Sequence, residues 1–160
     1  MYMNRCVLGR IIVLWSLYVV LLLGLDSHLS EVSGLLPLGL FLGSWDFNNK
    51  TEGYISRFNG VECWHPDENM VLNLKLSNMG LKGQFPCGIQ NCSSLTELDL
   101  SINKLPGTIS GDIATRIPFA TSVILASNEF FGEIPVSLAN YKFLNTLKLD
   151  QNRLTGQIPP

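Results

Sequence analysis

A sixteen-residue pattern recurs four times along the later part of this chain. Its copies begin at Val71, Leu95, Ala120 and Leu144, so they follow one another at a nearly constant spacing. The shared pattern is L-x-x-L-x-L-x-x-N-x-L-x-G-x-I-P. A regular period of this kind means that each copy forms one supersecondary unit, which buries its apolar face only by stacking on its neighbours. The repeat therefore constrains the fold more than any local propensity does.

Apolar residues alternate with polar ones near the start of each copy. The alternating pairs are Leu74/Leu76, Leu98/Leu100, Val123/Leu125 and Leu147/Leu149. A period of two predicts a short strand with one buried face and one solvent face. Stacked copies then align these strands in a parallel sheet. We identify the pattern as a leucine-rich repeat and predict a solenoid with parallel strands on its concave face, four repeats over residues 70–160 and no C-terminal cap.

Asparagine follows the strand in the last three copies, at Asn103, Asn128 and Asn152, whereas the first copy has Met79. An inward amide at this position can satisfy backbone groups that the turn would otherwise bury unpaired. We therefore expect a ladder of asparagines that starts at the second coil. The glycine of each copy is expected to adopt a tight or left-handed backbone.

The N-terminal segment, positions 1–27, has the features of a secretory signal peptide. Arg5 and Arg10 precede an apolar run over residues 11–25, which is too short to span a bilayer comfortably. An uncleaved signal anchor is the alternative. Since Arg5 and Arg10 are the charges in residues 1–25, the remainder of the chain carries a net charge of −4. That balance disfavours a nucleic-acid partner, which generally needs a concentrated basic surface.

Nothing in the sequence points to catalysis or to a cofactor. Glu97 and Asp99 are one residue apart on a predicted strand and share its solvent face, without a second carboxylate layer or a cleft. His28 and His65 belong to no cluster with metal-ligand spacing. The sequence also has no phosphate-binding loop and no kinase-type catalytic segment. We therefore predict a chain without enzymatic activity, cofactor or metal.

Two parts of the sequence resemble a known plant family. The L-x-G-x-I-P half of the repeat resembles the repeats of plant receptor-like kinases and extracellular receptor proteins. Residues 44–51, Ser-Trp-Asp-Phe-Asn-Asn-Lys-Thr, and the segment Phe-x-Gly-Val-x-Cys-Trp at residues 58–64 resemble the N-terminal cap of the inactive receptor-like kinases that associate with somatic-embryogenesis-type co-receptor kinases. The resemblance implies an atypical cap over residues 28–69, followed by four repeats of the plant type over residues 70–160. It also implies a protein partner, such as a co-receptor kinase ectodomain.

The cap departs from the family in its cysteines. The resemblance implies a cysteine pair here, but Ser56 occupies the first position and leaves Cys63 without that partner. If the cap folds against the first coil, Cys63 and Cys87 form a candidate disulfide. Cys92 is expected to be a buried free cysteine. Because removal of the signal peptide takes Cys6 away, three cysteines remain, so an unpaired thiol or an intermolecular link is also expected.

The solvent-facing strand positions are the expected protein-binding surface, because stacked strands bring them into columns. The candidates are Asn73, Lys75, Glu97, Asp99, Ser122, Ile124, Thr146 and Lys148. An ordinary solvated sheet face is the alternative for each of them. Asn49 and Asn91 each start an N-x-S/T motif and are candidate glycosylation sites in an exported chain.

The leading functional hypothesis is an extracellular recognition module of a receptor-like pseudokinase that regulates signalling by associating with a co-receptor. In a full-length receptor the module would lie on the outer face of the plasma membrane. Otherwise it would be secreted. One alternative is a secreted leucine-rich-repeat inhibitor of a pathogen wall-degrading enzyme. The other is a truncated receptor fragment without function.

Overall fold

The structure is a computed structural model that describes residues 51, 53–67, 70–83, 85, 89 and 92–159. Each repeat contributes one short strand to a parallel sheet. These strands are β2 (Val71–Lys75), β3 (Glu97–Asp99), β5 (Ser122–Ile124) and β7 (Thr146–Lys148). Strand β1 (Val61–Cys63) from the cap adds to β2 in the antiparallel direction. The described residues thus form a sheet in the order β1-β2-β3-β5-β7, here called the concave sheet.

The register of the concave sheet follows the repeat spacing. Leu98 lies opposite Leu74 on one side and Val123 on the other, and Val123 in turn lies opposite Leu147. These side chains point inward, and Leu74, Leu98 and Val123 are buried, whereas Leu147 in the last coil is exposed. The predicted solenoid of parallel strands is therefore confirmed.

A second parallel sheet, which the sequence did not predict, lies further along each coil. It consists of β4 (Pro106–Gly107), β6 (Glu129–Glu133) and β8 (Arg153–Thr155) in that order. Phe130 of β6 is fully buried, and its ring lies 6.2 Å from that of Phe85. The part of the repeat that the sequence assigned to a bend is therefore also a strand.

Short helices connect the sheets on the outer side of the coils. Helix α1 (Ile113–Arg116) lies in the second coil, and a 3-10 helix over Val136–Asn140 lies in the third. Tyr141 donates a hydrogen bond from its hydroxyl to the carbonyl of Ile113, at 3.3 Å, and so joins the two segments. Another 3-10 helix, Tyr54–Arg57, lies in the cap.

Gly60 brings the cap directly onto the first coil. Its φ is +81°, and a Cβ there would lie 2.2 Å from the carbonyl oxygen of Lys75. A hydrogen bond holds the same two segments together, since the backbone N–H of Lys75 donates to the carbonyl of Gly60 at 2.7 Å. Only glycine meets both requirements, because any other side chain would clash with backbone and disfavour this φ. The contact continues the hydrophobic core from the repeats into the cap, where Phe58 and Val61 are buried.

Candidate protein-binding surface

The concave sheet brings the predicted surface residues into two columns. The register pairs Asn73 with Glu97, Glu97 with Ser122 and Ser122 with Thr146. The second column is Lys75, Asp99, Ile124 and Lys148. Neighbouring strands in a sheet lie about 4.8 Å apart, so each column is a continuous strip rather than a set of isolated side chains. The structure therefore confirms the predicted alignment of these residues, while their role in binding remains a prediction.

The first-coil candidates are already engaged within the molecule. Lys75 Nζ lies 3.1 Å from Glu62 Oε1 and 3.2 Å from Glu97 Oε2, so one cation bridges two carboxylates. Asn73 donates from Nδ2 to Glu62 Oε2 at 2.6 Å and accepts from the hydroxyl of Thr96 at 2.8 Å. Glu62 belongs to β1 of the cap, so this network, here called the clasp, joins the cap to the first two coils. Sequence reasoning missed Glu62 because no repeat position marks it.

The clasp has a predictable pH dependence. Hydrogen bonds from Asn73 and then from Lys75 lower the pKa of Glu62 from its ordinary value of 4.5. A carboxyl group whose pKa is lower in the folded state stabilises the fold above its unfolded pKa, and that stabilisation is lost as the pH falls through the folded pKa. We expect Glu62→Gln to lower the free energy of unfolding at neutral pH by less than about 1 kcal/mol, since the pair is exposed.

The measurement is the difference in unfolding free energy between wild type and Glu62→Gln, followed from neutral pH downward by urea titration. That difference is expected to shrink below pH 4.5, where the unfolded chain takes up the proton first. Asp112, whose pKa is lowered to about 2 chiefly by the hydrogen bond with Arg116, is present in both proteins and cancels from the difference. A difference that stays constant down to acid pH would contradict the clasp.

The candidate side chains of the third and fourth coils are less engaged than those of the first two. Asp99 accepts hydrogen bonds from the backbone N–H and the hydroxyl of Ser101, at 2.9 and 2.6 Å. Ile124 is half-buried, whereas Lys148 is exposed and forms no ion pair with another residue in the part of the chain that the structure describes. The side chains available to a partner therefore lie mainly on the third and fourth coils.

The asparagine ladder joins successive coils through buried hydrogen bonds at the ends of the concave-sheet strands. Asn103 Oδ1 accepts from the backbone N–H groups of Met79 and Leu81, at 3.1 and 2.9 Å. Its Nδ2 donates to carbonyl groups of the same coil and of the coil before it. Asn128 and Asn152 repeat the arrangement one and two coils later. The predicted ladder, with its start at the second coil, is confirmed.

Two exposed phenylalanines lie where the strands of the concave sheet begin, and the sequence analysis missed them. Phe119 and Phe143 occupy the same position in successive repeats, and they remain 54% and 50% exposed. Their ring centroids are 6.2 Å apart, with 25° between the ring planes. This separation falls in the range preferred by offset-stacked aromatic rings. We call these two residues the aromatic pair; their common repeat position was the signal that could have revealed them.

The cysteine predictions were wrong in two respects. Cys63 is free, so it does not form the predicted bond with Cys87, which itself lies outside the described residues. The ladder of β1 and β2 places Cys63 opposite Val71. Burial raises the pKa of the Cys63 thiol, which disfavours the reactive thiolate. Cys92, predicted to be free, instead takes part in a disulfide bond.

Several predicted features cannot be placed. The signal peptide and the glycosylation candidates Asn49 and Asn91 lie outside the described residues. Within the described ranges, no helix has the length and apolar character needed to cross a bilayer. The same ranges contain no group of three or more histidine, cysteine or carboxylate side chains arranged to hold a metal ion.

Known proteins resemble the chain in both sequence and structure. The inactive leucine-rich-repeat receptor-like serine/threonine-protein kinase BIR2 of Arabidopsis thaliana is 49% identical over 122 residues, which make up 76% of this chain and 19% of BIR2. The crystal structure of the BIR2 ectodomain has a TM-score of 0.74 and 48% identity, covering 77% of this chain and 64% of that one. No protein-family model matches the chain.

Two solved complexes from the same plant share the fold. The crystal structure of the BIR3–SERK2 complex matches with a TM-score of 0.70 and 40% identity, over 74% of this chain and 63% of that chain. The complex of the receptor kinase HAESA with the peptide hormone IDA and the co-receptor SERK1 matches with a TM-score of 0.65 and 32% identity, over 74% and 19% of the two chains.

The sequence match and the structural match agree on which part of these receptors is involved. The chain spans only 18% and 19% of the length of two curated receptor-like kinases that it matches, one of them BIR2. The BIR2 structure to which it aligns is that kinase's ectodomain. The chain is therefore a plant-type leucine-rich-repeat protein, homologous to the ectodomains of inactive leucine-rich-repeat receptor-like kinases.

Proposed function

We propose that this chain is an extracellular recognition module that binds the ectodomain of a co-receptor kinase of the SERK type and thereby regulates signalling at the cell surface. The observation that carries the proposal is the exposed aromatic pair beside the concave sheet, on a fold that relatives use in such complexes. BIR3, whose complex with SERK2 has been solved, supplies the precedent.

The surface chemistry favours a protein partner. Large aromatic side chains are enriched in protein interfaces and often dominate their energetics, because each buries a large area at a low cost in conformational entropy. Phe119 and Phe143 are already stacked before any partner binds, which lowers that cost further. Beside them lie uncharged strand residues, Ser122 and Thr146, and then the half-buried Ile124. An apolar anchor surrounded by polar residues is the composition typical of a transient protein interface.

The charged candidates are expected to contribute unequally. Lys75 and Glu97 are held in the clasp with the cap, so a partner would have to compete with existing ion pairs for them. Lys148 is exposed on the fourth coil and available to a carboxylate of the partner. We therefore assign the binding energy chiefly to the aromatic pair and its neighbours on the third and fourth coils, and a steering role to Lys148.

Truncation of the aromatic pair tests this assignment. Phe143→Ala is expected to weaken binding to the SERK2 ectodomain about tenfold or more, since truncation of an aromatic hot-spot residue costs about 2 kcal/mol or more. The double variant Phe119→Ala/Phe143→Ala is expected to weaken it further. Isothermal titration calorimetry with the purified ectodomain measures the dissociation constant directly.

Phe131 provides a matched control for this experiment. It is 51% exposed like the aromatic pair, but it lies on β6 in the second sheet. Phe131→Ala is therefore expected to bind SERK2 as wild type does. If Phe143→Ala and Phe131→Ala bound equally well, the aromatic pair would not be the binding surface. If the wild-type chain failed to bind any SERK ectodomain, the proposed function itself would be wrong.

The comparisons favour this function over the inhibitor hypothesis, because the relatives described are receptor-like kinases. The proposed location is the secretory route and the extracellular face of the plasma membrane. The N-terminal apolar run of residues 11–25 supports export. Glycosylation at Asn49 and Asn91 remains a prediction that depends on that route.

A further inference from the structure

One backbone position in every coil adopts the left-handed conformation. It lies just after the strand of the concave sheet, and its φ values fall between 55° and 56°. The residues at this position are Asn78, Ile102, Ser127 and Gln151. Because four successive coils share the conformation, the solenoid itself imposes it. Each residue there must tolerate a backbone that L-amino acids other than glycine rarely adopt.

Ile102 is the residue least suited to that requirement. Asparagine tolerates the left-handed region, as do other short polar residues to a lesser degree, whereas a β-branched side chain crowds the backbone and is a genuine outlier. Ile102 also gains little from the core, because it remains 54% exposed. It thus strains the backbone without a compensating burial. Strained residues that the fold does not need tend to mark functional positions.

Ile102 lies against uncharged residues of the third coil, while the nearest charged residues along its own coil are Asp99 and Lys104. Its backbone N–H donates to the carbonyl of Ala126 at 3.0 Å, which places Ile102 against the third coil just past the end of β5. The neighbours at the same position, Asn78 and Ser127, carry no charge, and the adjacent Ser101 and Ala126 are small and buried. An exposed apolar side chain of this kind is available for burial against a partner.

A single partner can contact both Ile102 and the aromatic pair. The third coil runs from Phe119 to Ser127 between these two places, and an extended chain covers this segment in about 26 Å. A standard interface buries about 800 Å² on each partner, which corresponds to a patch of roughly this width. The aromatic pair and Ile102 therefore fit at opposite ends of one docked protein domain, with the columns of the concave sheet between them.

We propose that Ile102 is a second apolar anchor for the co-receptor ectodomain, packing against apolar surface of that partner at the end of the concave sheet opposite the aromatic pair. This inference rests on the proposed function. It also explains why a side chain that destabilises its own coil occupies this position.

The test measures both thermal stability and affinity for the partner, because the proposal predicts that loss of Ile102 raises the first and lowers the second. In the full chain expressed through a secretory host, Ile102→Asn is expected to raise the melting temperature by about 4 °C, because backbone strain is relieved. The same variant is expected to bind the SERK2 ectodomain about tenfold more weakly, because the anchor is lost. Ile102→Leu keeps the apolar volume without β-branching and is expected to retain binding. A residue with only a structural role would not move stability and affinity in opposite directions.

Ser127→Asn is the matched control, since it improves the fit to the same backbone conformation one coil later without removing an apolar group. It is expected to weaken binding less than Ile102→Asn does, because no apolar group is lost. If wild type binds SERK2 and Ile102→Asn binds equally well, the anchor assignment is overturned while the proposed function stands. If wild type binds no SERK ectodomain, the anchor assignment and the proposed function are both wrong. An affinity loss with Ile102→Leu as large as with Ile102→Asn would also contradict an apolar anchor.

Discussion

Replacing Asn103 with alanine is expected to lower the free energy of unfolding by about 3–5 kcal/mol. The side chain is within hydrogen-bond distance of five buried backbone groups: Oδ1 accepts from two N–H groups, and the two N–H groups of Nδ2 are shared among three carbonyls. Alanine would leave those groups without partners in a region that water reaches poorly. A buried donor or acceptor that loses its partner costs about 1–3 kcal/mol, and partial relaxation reduces the sum.

Asn152→Ala is the matched control for Asn103→Ala. Asn152 makes the equivalent contacts to Phe130, Leu125 and Leu149, but it is only half-buried. Water can replace some of the lost hydrogen bonds there, so the free energy of unfolding is expected to fall by only about 1–2 kcal/mol. Chemical denaturation of both variants, read by far-ultraviolet circular dichroism, supplies the comparison. Equal losses at the two positions, or a loss below about 1 kcal/mol at Asn103, would show that the ladder does not support the solenoid in the way described.

Phe130→Ala is expected to destabilise the chain by about 3–5 kcal/mol, through the lost burial of the ring and the cavity that remains. The Phe130 side chain is fully buried in the second sheet, where it packs toward Phe85. The adjacent residue of the same strand offers an internal comparison. Phe131 has the same chemistry and half of its surface in solvent, so Phe131→Ala is expected to cost about 0.5 kcal/mol or less.

Thermal unfolding of the Phe130→Ala and Phe131→Ala variants measures both effects. A similar loss at the two positions would mean that the strand β6 does not present alternate faces to core and solvent. A loss at Phe130 confined to about 1 kcal/mol would mean that the second sheet contributes little to the packing of the coils.

The parts of the fold that recur were predictable from sequence. The strand positions, the inward leucines and the asparagine ladder follow from a pattern that occurs four times at a nearly constant spacing, since each copy supports the same interpretation. The expected left-handed glycines were also found, for example Gly107 with a φ of 107° and Gly132 with a φ of 83°. Redundancy across copies compensated for the weakness of any one local signal.

Features outside the repeating pattern were harder to predict. The clasp between Glu62 and Lys75 joins a cap strand to a repeat strand, and nothing in the spacing of either segment specifies their pairing. The second sheet was missed because β6 and β8 pair only after the coils have stacked. Cys63 and Cys92 were misassigned for the same reason, since cysteine pairing depends on tertiary geometry that sequence spacing does not determine.

The candidate site was partly predictable. The solvent-facing columns of the concave sheet followed from strand alternation, but alternation does not distinguish an engaged side chain such as Lys75 from an available one such as Lys148. The aromatic pair and Ile102 lie just before and just after the strands, where a period-two pattern carries no information. These flanking positions are nevertheless where the exposed apolar side chains of the surface lie.

The register of the concave sheet also restricts how a gene of this kind can change in length. The copy that starts at Leu95 is longer by a single position than the copies on either side of it, yet strands β3 and β5 stay aligned. The additional position is taken up on the outer side of that coil, around α1. A one-residue insertion within a strand would instead turn its inward leucines toward solvent and its polar face toward the core. Length variation is therefore tolerated at the outer connections or in whole coils, which favours duplication and loss of complete repeats as the route by which such receptors diverge.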